Sequence, residues 1–448
     1  MNPTRREHAR AIWQAGVEAV RPERCVPEFF ARANFPLAAG FDRVLVVGGG
    51  KAGAAMSRAL EDELPRHGID LGRVHGWVNV PNETVVPLRA IHLHAARPAG
   101  TNQPTAAALH GTQAILRMVE AAGPNDLLIC LLSGGGSALL PAPVEGITLA
   151  DKQAVTQLLH RCGATIQEMN AVRKHLSRIK GGGLARLFRG RRILSLIISD
   201  VIGDPLDVIA SGPTCVDPTT FADALAVLDR YALRDRVPPA VRAYLERGAA
   251  GQEPETLKDW PLDRDGQPII YNAVIANNQR ALAAAERWAE GLGYHVINLG
   301  AAVEGDTRAV AEVFAGIARG LKETAARVGT PIACLSGGET TVTLPPDHGL
   351  GGRNQEFVLA FLHALGRDRL AGLTVLSGGT DGEDGPTDAA GAVGDAELLA
   401  AAAGRGLSPA DFLARHDAYH FFAPLGGLLQ TGLTHTNVMD LRVILIDA

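Results

Sequence analysis

The chain carries few of the marks of a secreted, membrane-spanning or nucleic-acid-binding protein. Its 448 residues include only five cysteines. None of Cys25, Cys130, Cys162, Cys215 and Cys334 falls in a C-x-x-C pair, and the count is odd. Free buried thiols in a reducing cytoplasm are expected, so a cytoplasmic location with no disulfide framework follows. No apolar run approaches the ~18 residues of a membrane span. The charged opening, residues 1–7, has no apolar stretch behind it, so no signal peptide is expected. Its Thr4-x-x-Glu7 spacing predicts a capping box and a helix over residues 5–20. The histidines are scattered, and zinc is not expected. The formal charge of −5 leaves no basic field for nucleic acid or an acidic membrane. A small anion would have to be met by local groups.

What is present is a packed α/β pattern. Hydrophobic residues make up 46% and charged residues 20%, which excludes disorder as the main state. The 51 glycines follow no collagen-like period and cluster behind short apolar runs. Predicted strands at 44–47, 127–132, 193–198, 269–275, 332–335 and 373–376 each end in a glycine-, serine- or asparagine-rich turn. Most lead into alanine- and leucine-rich helices. Near-continuous apolar strands alternating with helices predict parallel sheets covered on both faces. Functional groups then gather at the carboxyl edge of each sheet. Residues 248–268 are polar, carry Pro254, Pro261 and Pro268, and fit neither period. They predict two α/β domains, 1–248 and 249–448, with a cleft between them.

Several motifs bear chemistry. Gly48-Gly49-Gly50-Lys51-Ala52-Gly53 satisfies G-x-G-x-x-G after a strand, which raises a nicotinamide-dependent reductase. Against it, the next predicted strand ends in Pro81-Asn82 with no prompt carboxylate for a ribose. Lys51 within the turn is placed to meet a phosphate. Ser133-Gly134-Gly135-Gly136-Ser137 exposes successive N–H groups between two hydroxyls and reads as an anion nest. Between Asn170 and Gly183, residues 173–180 hold five cations, with Arg173, Ser177 and Lys180 on one helical stripe. Asp200 and Asp204 follow a buried strand, where they could hold Mg²⁺ or accept a substrate proton. Further on stand Asn277-Asn278, Ser336-Gly337-Gly338-Glu339, Gly351-Gly352-Arg353-Asn354 and an acidic glycine loop with Asp381 and Asp388. Arg353 beside two glycines can approach a phosphate closely and bind it with two donors.

Together these motifs resemble, in order and over essentially the whole chain from Ala9, the glycerate 2-kinase family with a C-terminal MOFRL domain. Some of its relatives carry the name hydroxypyruvate reductase, which keeps an NAD(P)H-dependent reductase as the alternative. The resemblance implies ATP-dependent phosphorylation of D-glycerate at its 2-hydroxyl, with Mg²⁺. It also implies a Rossmann-like three-layer parallel sheet in the N-terminal domain. Lys51 and Arg353 correspond to the family's cations at the transferring phosphoryl group, with Asp200 as the third expected catalytic group. Phosphate or nucleotide is expected on Gly49, Gly50, Ser133, Gly134, Gly135, Gly136, Ser137, Lys180, Gly337, Gly338 and Glu339. Substrate is expected on Arg173, Asn278 and Asn354, and metal on Asp204, Asp381 and Asp388. Expected partners are D-glycerate and ATP, with no nucleic acid, no membrane and a possible homodimer. One departure stands out. The family's Gly-Pro-Thr-Gly-Thr-Asn-Val reads here Gly432-Leu433-Thr434-His435-Thr436-Asn437-Val438, which puts a contact from this loop to ligand in doubt.

Overall fold

Apolar strands laid side by side build each of two units. The computed structural model describes residues 4–33, 35, 37, 40–98 and 103–448. One unit spans Cys25–Ile275. Its strands are β1 (Val44–Gly49), β2 (Val74–Pro81), β3 (Ile91–Arg97), β4 (Leu127–Leu132), β5 (Arg192–Ile198) and β6 (Ile270–Ala276). They lie in the order β3-β2-β1-β4-β5-β6, and β1–β5 pair in parallel. Strands β1 and β4 are buried along their whole length, as expected for a parallel sheet covered on both faces. Leu45, Val47, Leu128, Cys130 and Leu132 pack with Ile115, Leu116 and Val119 of the helix Ala106–Glu120. Between β1 and β4 the strand order reverses, and the crevice at such a switch point is where α/β sheets bind ligands.

The other unit joins Met1–Arg24 to Ala276–Ala448. It contains β7 (His295–Asn298), β8 (Gly305–Asp306), β9 (Ile332–Gly338), β10 (Thr340–Thr341), β11 (Leu373–Gly379), β12 (Gly391–Asp395), β13 (Leu428–Leu429) and β14 (Asp440–Ile446). Six of these form a sheet in the order β13-β12-β11-β14-β9-β7, while β8 pairs with β10. Here the expectation of purely parallel sheets gives way. Strands β7 and β9 are parallel, but β14 runs antiparallel between β9 and β11. Strand β12 is antiparallel to both its neighbours. The physical reason is the connections: residues 380–390 and 430–439 hold no helix, and a parallel return needs a long crossover.

The boundary also differs from 248/249. The capping box forms as the spacing predicts, and the helix runs Arg5–Ala19. Its apolar stripe, Ile12, Trp13 and Val17, packs with Leu282, Leu376 and Leu441 of the C-terminal half. Trp13 Nε1 donates to Gly378 O at 3.1 Å, and Arg6 Nε donates to Asp395 Oδ2 at 2.5 Å. Conversely, the proline-rich stretch stays with the first unit. Leu257 N–H donates to Gly181 O at 2.9 Å and Ile193 N–H to Ile269 O at 2.8 Å. The prolines mark a surface segment bonded to the first unit, and the break follows it. All five cysteines are free, and all but Cys162 are buried. Among the described residues no helix is long and apolar enough to cross a membrane.

Candidate functional site

Strands β1 and β4 leave the sheet in register, Gly49 opposite Leu132, and each enters a glycine turn. The turns are stitched together. A Cβ on Gly50 would lie 2.0 Å from Ser133 Oγ and 2.8 Å from Ser133 O, so no side chain fits there. Ser133 Oγ accepts the Ala52 N–H at 3.0 Å, and Lys51 N–H donates to Gly134 O at 2.8 Å. Gly135 takes φ +75°, a conformation that glycine adopts without a Cβ penalty. The missing Cβ leaves room for Arg97 Nη2, 2.7 Å from where it would stand, and for the Lys51 stem at 3.7 Å. Lys51 and Arg97 therefore lie against the 133–137 turn. Arg97, buried at the end of β3, carried no motif signal.

Gly136 opens the short helix Gly136–Leu139, which presents Ser137 to two cations. Ser137 Oγ accepts from Arg173 Nη2 at 2.6 Å and from Lys180 Nζ. Lys180 Nζ also donates to Ser137 O at 2.9 Å and to Ser211 Oγ at 3.4 Å. Ser211 completes the cluster, 3.0 Å from Ser137 Oγ and 3.3 Å from Asn170 Oδ1. It does so from a turn in which Ala210, Ser211 and Gly212 all have positive φ, at 50°, 63° and 61°. Such strain costs about 1–3 kcal/mol per non-glycine residue and persists only where surroundings over-determine it. The expected helical stripe is corrected. The helix ends at His175, so Ser177 and Lys180 lie beyond it, in a turn closed by Gly181 and Gly182 at φ 54° and 74°. Arg173 and Lys180 converge all the same. The other cations of the run do not join them: Arg178 pairs with Glu120, and Lys174 and His175 are buried against carboxylates. Burial pushes Lys180 well below the usual lysine range, and it lowers Arg173 too.

Asp200 and Asp204 follow β5 in the same unit. Asp204 sits in the left-handed region, φ 53°, with its N–H on Val201 O at 3.1 Å.

In the other unit, Arg353 opens the helix Arg353–Arg369 and lines a cavity of about 370 Å³ with Glu339, Gly352 and His416. Its guanidinium is held by two carboxylates. Nε and Nη2 donate to Asp440 at 2.7 and 2.9 Å, and Nη1 lies 2.8 Å from Glu339. The helix N-terminus is already occupied. Asp384 accepts the N–H groups of Asn354 at 3.0 Å and Gln355 at 2.8 Å. Burial, with Asp440 nearby, pushes Asp384 up to about 7. Asn354 and Asn278, expected to touch substrate, are buried and bonded within their own unit. Asn354 Nδ2 donates to Asp440 at 2.9 Å, and its Oδ1 accepts from Ser377 at 2.5 Å. Asn278 Nδ2 donates to Val438 O and Asp440 O at 2.7 and 2.9 Å, while its Oδ1 presses on Gly337, 1.6 Å from a would-be Cβ. Gly338, at φ +122°, would put a Cβ 2.4 Å from Val303 O. Packing thus accounts for both glycines. Asp440 escaped sequence reasoning because it stands outside every motif, while Asp384 and Ser377 lie within the acidic loop and the Ser377-Gly378-Gly379 turn but were not singled out there.

For metal, the expected carboxylates divide. Asp204 lies in one unit and Asp381 and Asp388 in the other. Asp381 Oδ1 accepts the Glu383 N–H at 3.1 Å. Asp388 accepts Tyr419 Oη–H and Gln430 Nε2–H, both at 2.9 Å. One His-x-x-x-His spacing occurs, His416 and His420, but His416 bonds Glu356 at 3.0 Å and His420 bonds Asp417 at 2.6 Å. Among the described residues no group of three or more His, Cys, Asp or Glu is arranged to hold a metal ion.

This chain matches two family models, a domain of unknown function (DUF4147) over residues 8–246 and the MOFRL family over residues 332–440. The glycerate kinase of Rattus norvegicus is 39% identical, over 90% of this chain and 84% of its own. That of Homo sapiens is 37% identical, over 98% and 93%. Some relatives, from Agrobacterium vitis, carry a provisional hydroxypyruvate reductase name. The crystal structure of a glycerate kinase from Thermotoga maritima superposes with a TM-score of 0.84 at 34% identity, covering 98% of this chain and 99% of that one. Matched by these relatives over nearly its full length, the chain belongs to the glycerate kinase family that carries the MOFRL domain.

Proposed function

We propose that this protein transfers the γ-phosphoryl group of ATP to the 2-hydroxyl of D-glycerate, with Mg²⁺. The observation that carries the reading is the convergence of Arg173 and Lys180 on Ser137, beside the stitched glycine turns and the Lys51 stem. Phosphoryl transfer asks for little covalent chemistry from the protein. Positioning and charge neutralisation do most of the work. In this reading Lys51 stabilises charge developing on the transferred group, Arg353 supplies a second cation, and the Ser133–Ser137 turn offers N–H groups to phosphate oxygens. Asp200 takes the proton from the 2-hydroxyl. Mg²⁺ would neutralise phosphate charge. Among the described residues no protein cage forms for it, so it would rest on Asp204 and on phosphate oxygens and water, the usual mode for this ion.

The unit Cys25–Ile275 is read as Rossmann-like and three-layered, from its 3-2-1-4-5-6 strand order. That order, the G-x-G-x-x-G turn and the names of some relatives favour one alternative, an NAD(P)H-dependent hydroxypyruvate reductase. Two features weigh against it. The space a Cβ would need at Gly50 is filled by Ser133, and β2 ends at Pro81, before Asn82, with no carboxylate at its end for a ribose. Incubation with Mg²⁺ and ATP, following ADP release, separates the two. ADP formed only when D-glycerate is added supports the kinase. NADH oxidation by hydroxypyruvate without ATP, and no ADP, would replace it with the reductase.

A further inference from the structure

Lys174 shows how this fold treats a buried structural cation. Its side chain is 1% exposed, and two carboxylates neutralise it, Asp207 at 3.0 Å and Asp217 at 3.2 Å. Three cations nearby in the same unit receive no such treatment. Lys152 Nζ donates to Leu176 O at 3.0 Å. Arg173 and Lys180 donate only to serine hydroxyl and carbonyl oxygens. Among the described residues no carboxylate pairs with any of the three. Burial and the neighbouring Arg173 push Lys152 down to about 7. Three desolvated positive groups of this kind are costly unless an anion balances them.

All three line one cavity of about 320 Å³, with Ser137, Gln153 and His160 among its other walls. Among the described residues no Asp or Glu lines it. A polyphosphate that arrives with Mg²⁺ would therefore find no carboxylate to share the ion. Apolar wall from Ala138, Pro141 and Leu149 suits a short carbon chain better than a triphosphate. We infer that this cavity is the subsite for the carboxylate of a small hydroxy acid, and that Lys152 is a specificity-determining residue that reads that charge. The inference rests on the glycerate kinase reading for the identity of the acid. It extends that reading to a residue outside every motif of the sequence.

Titration calorimetry on the full chain tests it without turnover, with D-glycerate and Mg·ATP titrated separately. In Lys152→Met, which keeps the stem and removes the charge, D-glycerate should bind at least about tenfold more weakly, the loss of one charged hydrogen bond. Mg·ATP affinity should stay within about twofold, a free-energy change under ~0.5 kcal/mol. Lys152→Arg should recover part of the loss. A second arm needs no variant: methyl D-glycerate, which lacks the carboxylate charge, should bind wild-type protein at least about tenfold more weakly than D-glycerate. Equal binding of acid and ester would overturn the proposal. So would unchanged D-glycerate affinity in Lys152→Met, a loss that falls on Mg·ATP instead, or wild-type protein that binds no D-glycerate. Failure of the kinase reading looks different: D-glycerate binds and depends on Lys152, yet no ADP forms.

Discussion

Arg353 and Asp440 form a two-pronged ion pair, Nε on Oδ2 at 2.7 Å and Nη2 on Oδ1 at 2.9 Å, with the carboxylate fully buried. The same carboxylate accepts from Asn354, and its backbone carbonyl accepts from Asn278. Asp440 is thus the anchor that aims Arg353, while Glu339, 45% exposed, holds the guanidinium from the solvent side. The two partners should differ in weight. Removing one member of a buried pair costs about 3–5 kcal/mol because a charge is left unbalanced, whereas exposed pairs contribute about 0–1 kcal/mol. Asp440→Asn should lower the unfolding free energy by about 3–5 kcal/mol and depress kcat. Glu339→Gln should leave stability within about 1 kcal/mol. Urea titration of both variants checks this, and equal stabilities would contradict it.

Lys51 should matter to rate and little to stability. Losing one contact that stabilises transition-state charge typically costs ~10²–10³ in rate. Lys51→Ala should therefore lower kcat by about that factor, much more than it raises KM for D-glycerate. Stability should change by no more than ~0.5 kcal/mol, as for an ordinary partly exposed side chain. Lys51→Arg should rescue poorly, since a planar fork does not replace a compact ammonium in a tight turn. Near-normal kcat in Lys51→Ala would move the catalytic role to Arg353, or to Arg173 and Lys180.

Gly50→Ala tests the stitched turns. The new methyl would meet Ser133 Oγ at 2.0 Å and Ser133 backbone at 2.8 Å, so the Ser133 bond to Ala52 N–H must break. Overpacking of this kind costs about 1–3 kcal/mol. A drop of that size in chemical denaturation, together with weaker nucleotide binding, is the expected result. A variant with wild-type stability would mean that the two turns are not pressed together.

Asp384 gives the stability a pH dependence of stated sign. Its folded pKa is raised to about 7 by burial, against an ordinary value near 4. The folded state then holds the proton more tightly than the unfolded state, so this group's contribution falls as pH rises from about 4 through 7. Asp384→Asn mimics the protonated form and keeps an acceptor for the helix N–H groups. The variant should therefore gain on wild type as pH climbs from 5 to 8, roughly the span over which this group titrates. Melting curves at several pH values measure that difference, and a difference that does not change with pH would contradict the assignment.

What the sequence made legible follows from local chemistry. Residues 127–132 are apolar without interruption, so the strand could be read at its observed bounds. Thr4 and Glu7 cap one another through a contact three residues long, so the first helix was legible too. Its partner was not, because Trp13 meets Gly378 only through the tertiary fold. The same limit hid Arg97, Lys152 and Asp440, single residues with no neighbouring motif, and it hid which acid of the 381–388 loop caps the helix at Arg353. Gly337 and Gly338, expected at phosphate, also make room for Asn278 and Val303, a packing demand that no local pattern shows. In the 432–438 loop, exposed His435 has φ +62°, a left-handed conformation that histidine tolerates better than most residues.

The most direct test of the account couples the reaction to enolase. Purified protein, D-glycerate, ATP and Mg²⁺ are mixed with enolase and no phosphoglycerate mutase. Only a phosphoryl group on the 2-hydroxyl yields an enolase substrate directly, so phosphoenolpyruvate should appear at once, dependent on ATP and D-glycerate. If signal appears only after mutase is added, the group has gone to the 3-hydroxyl and the central claim is contradicted.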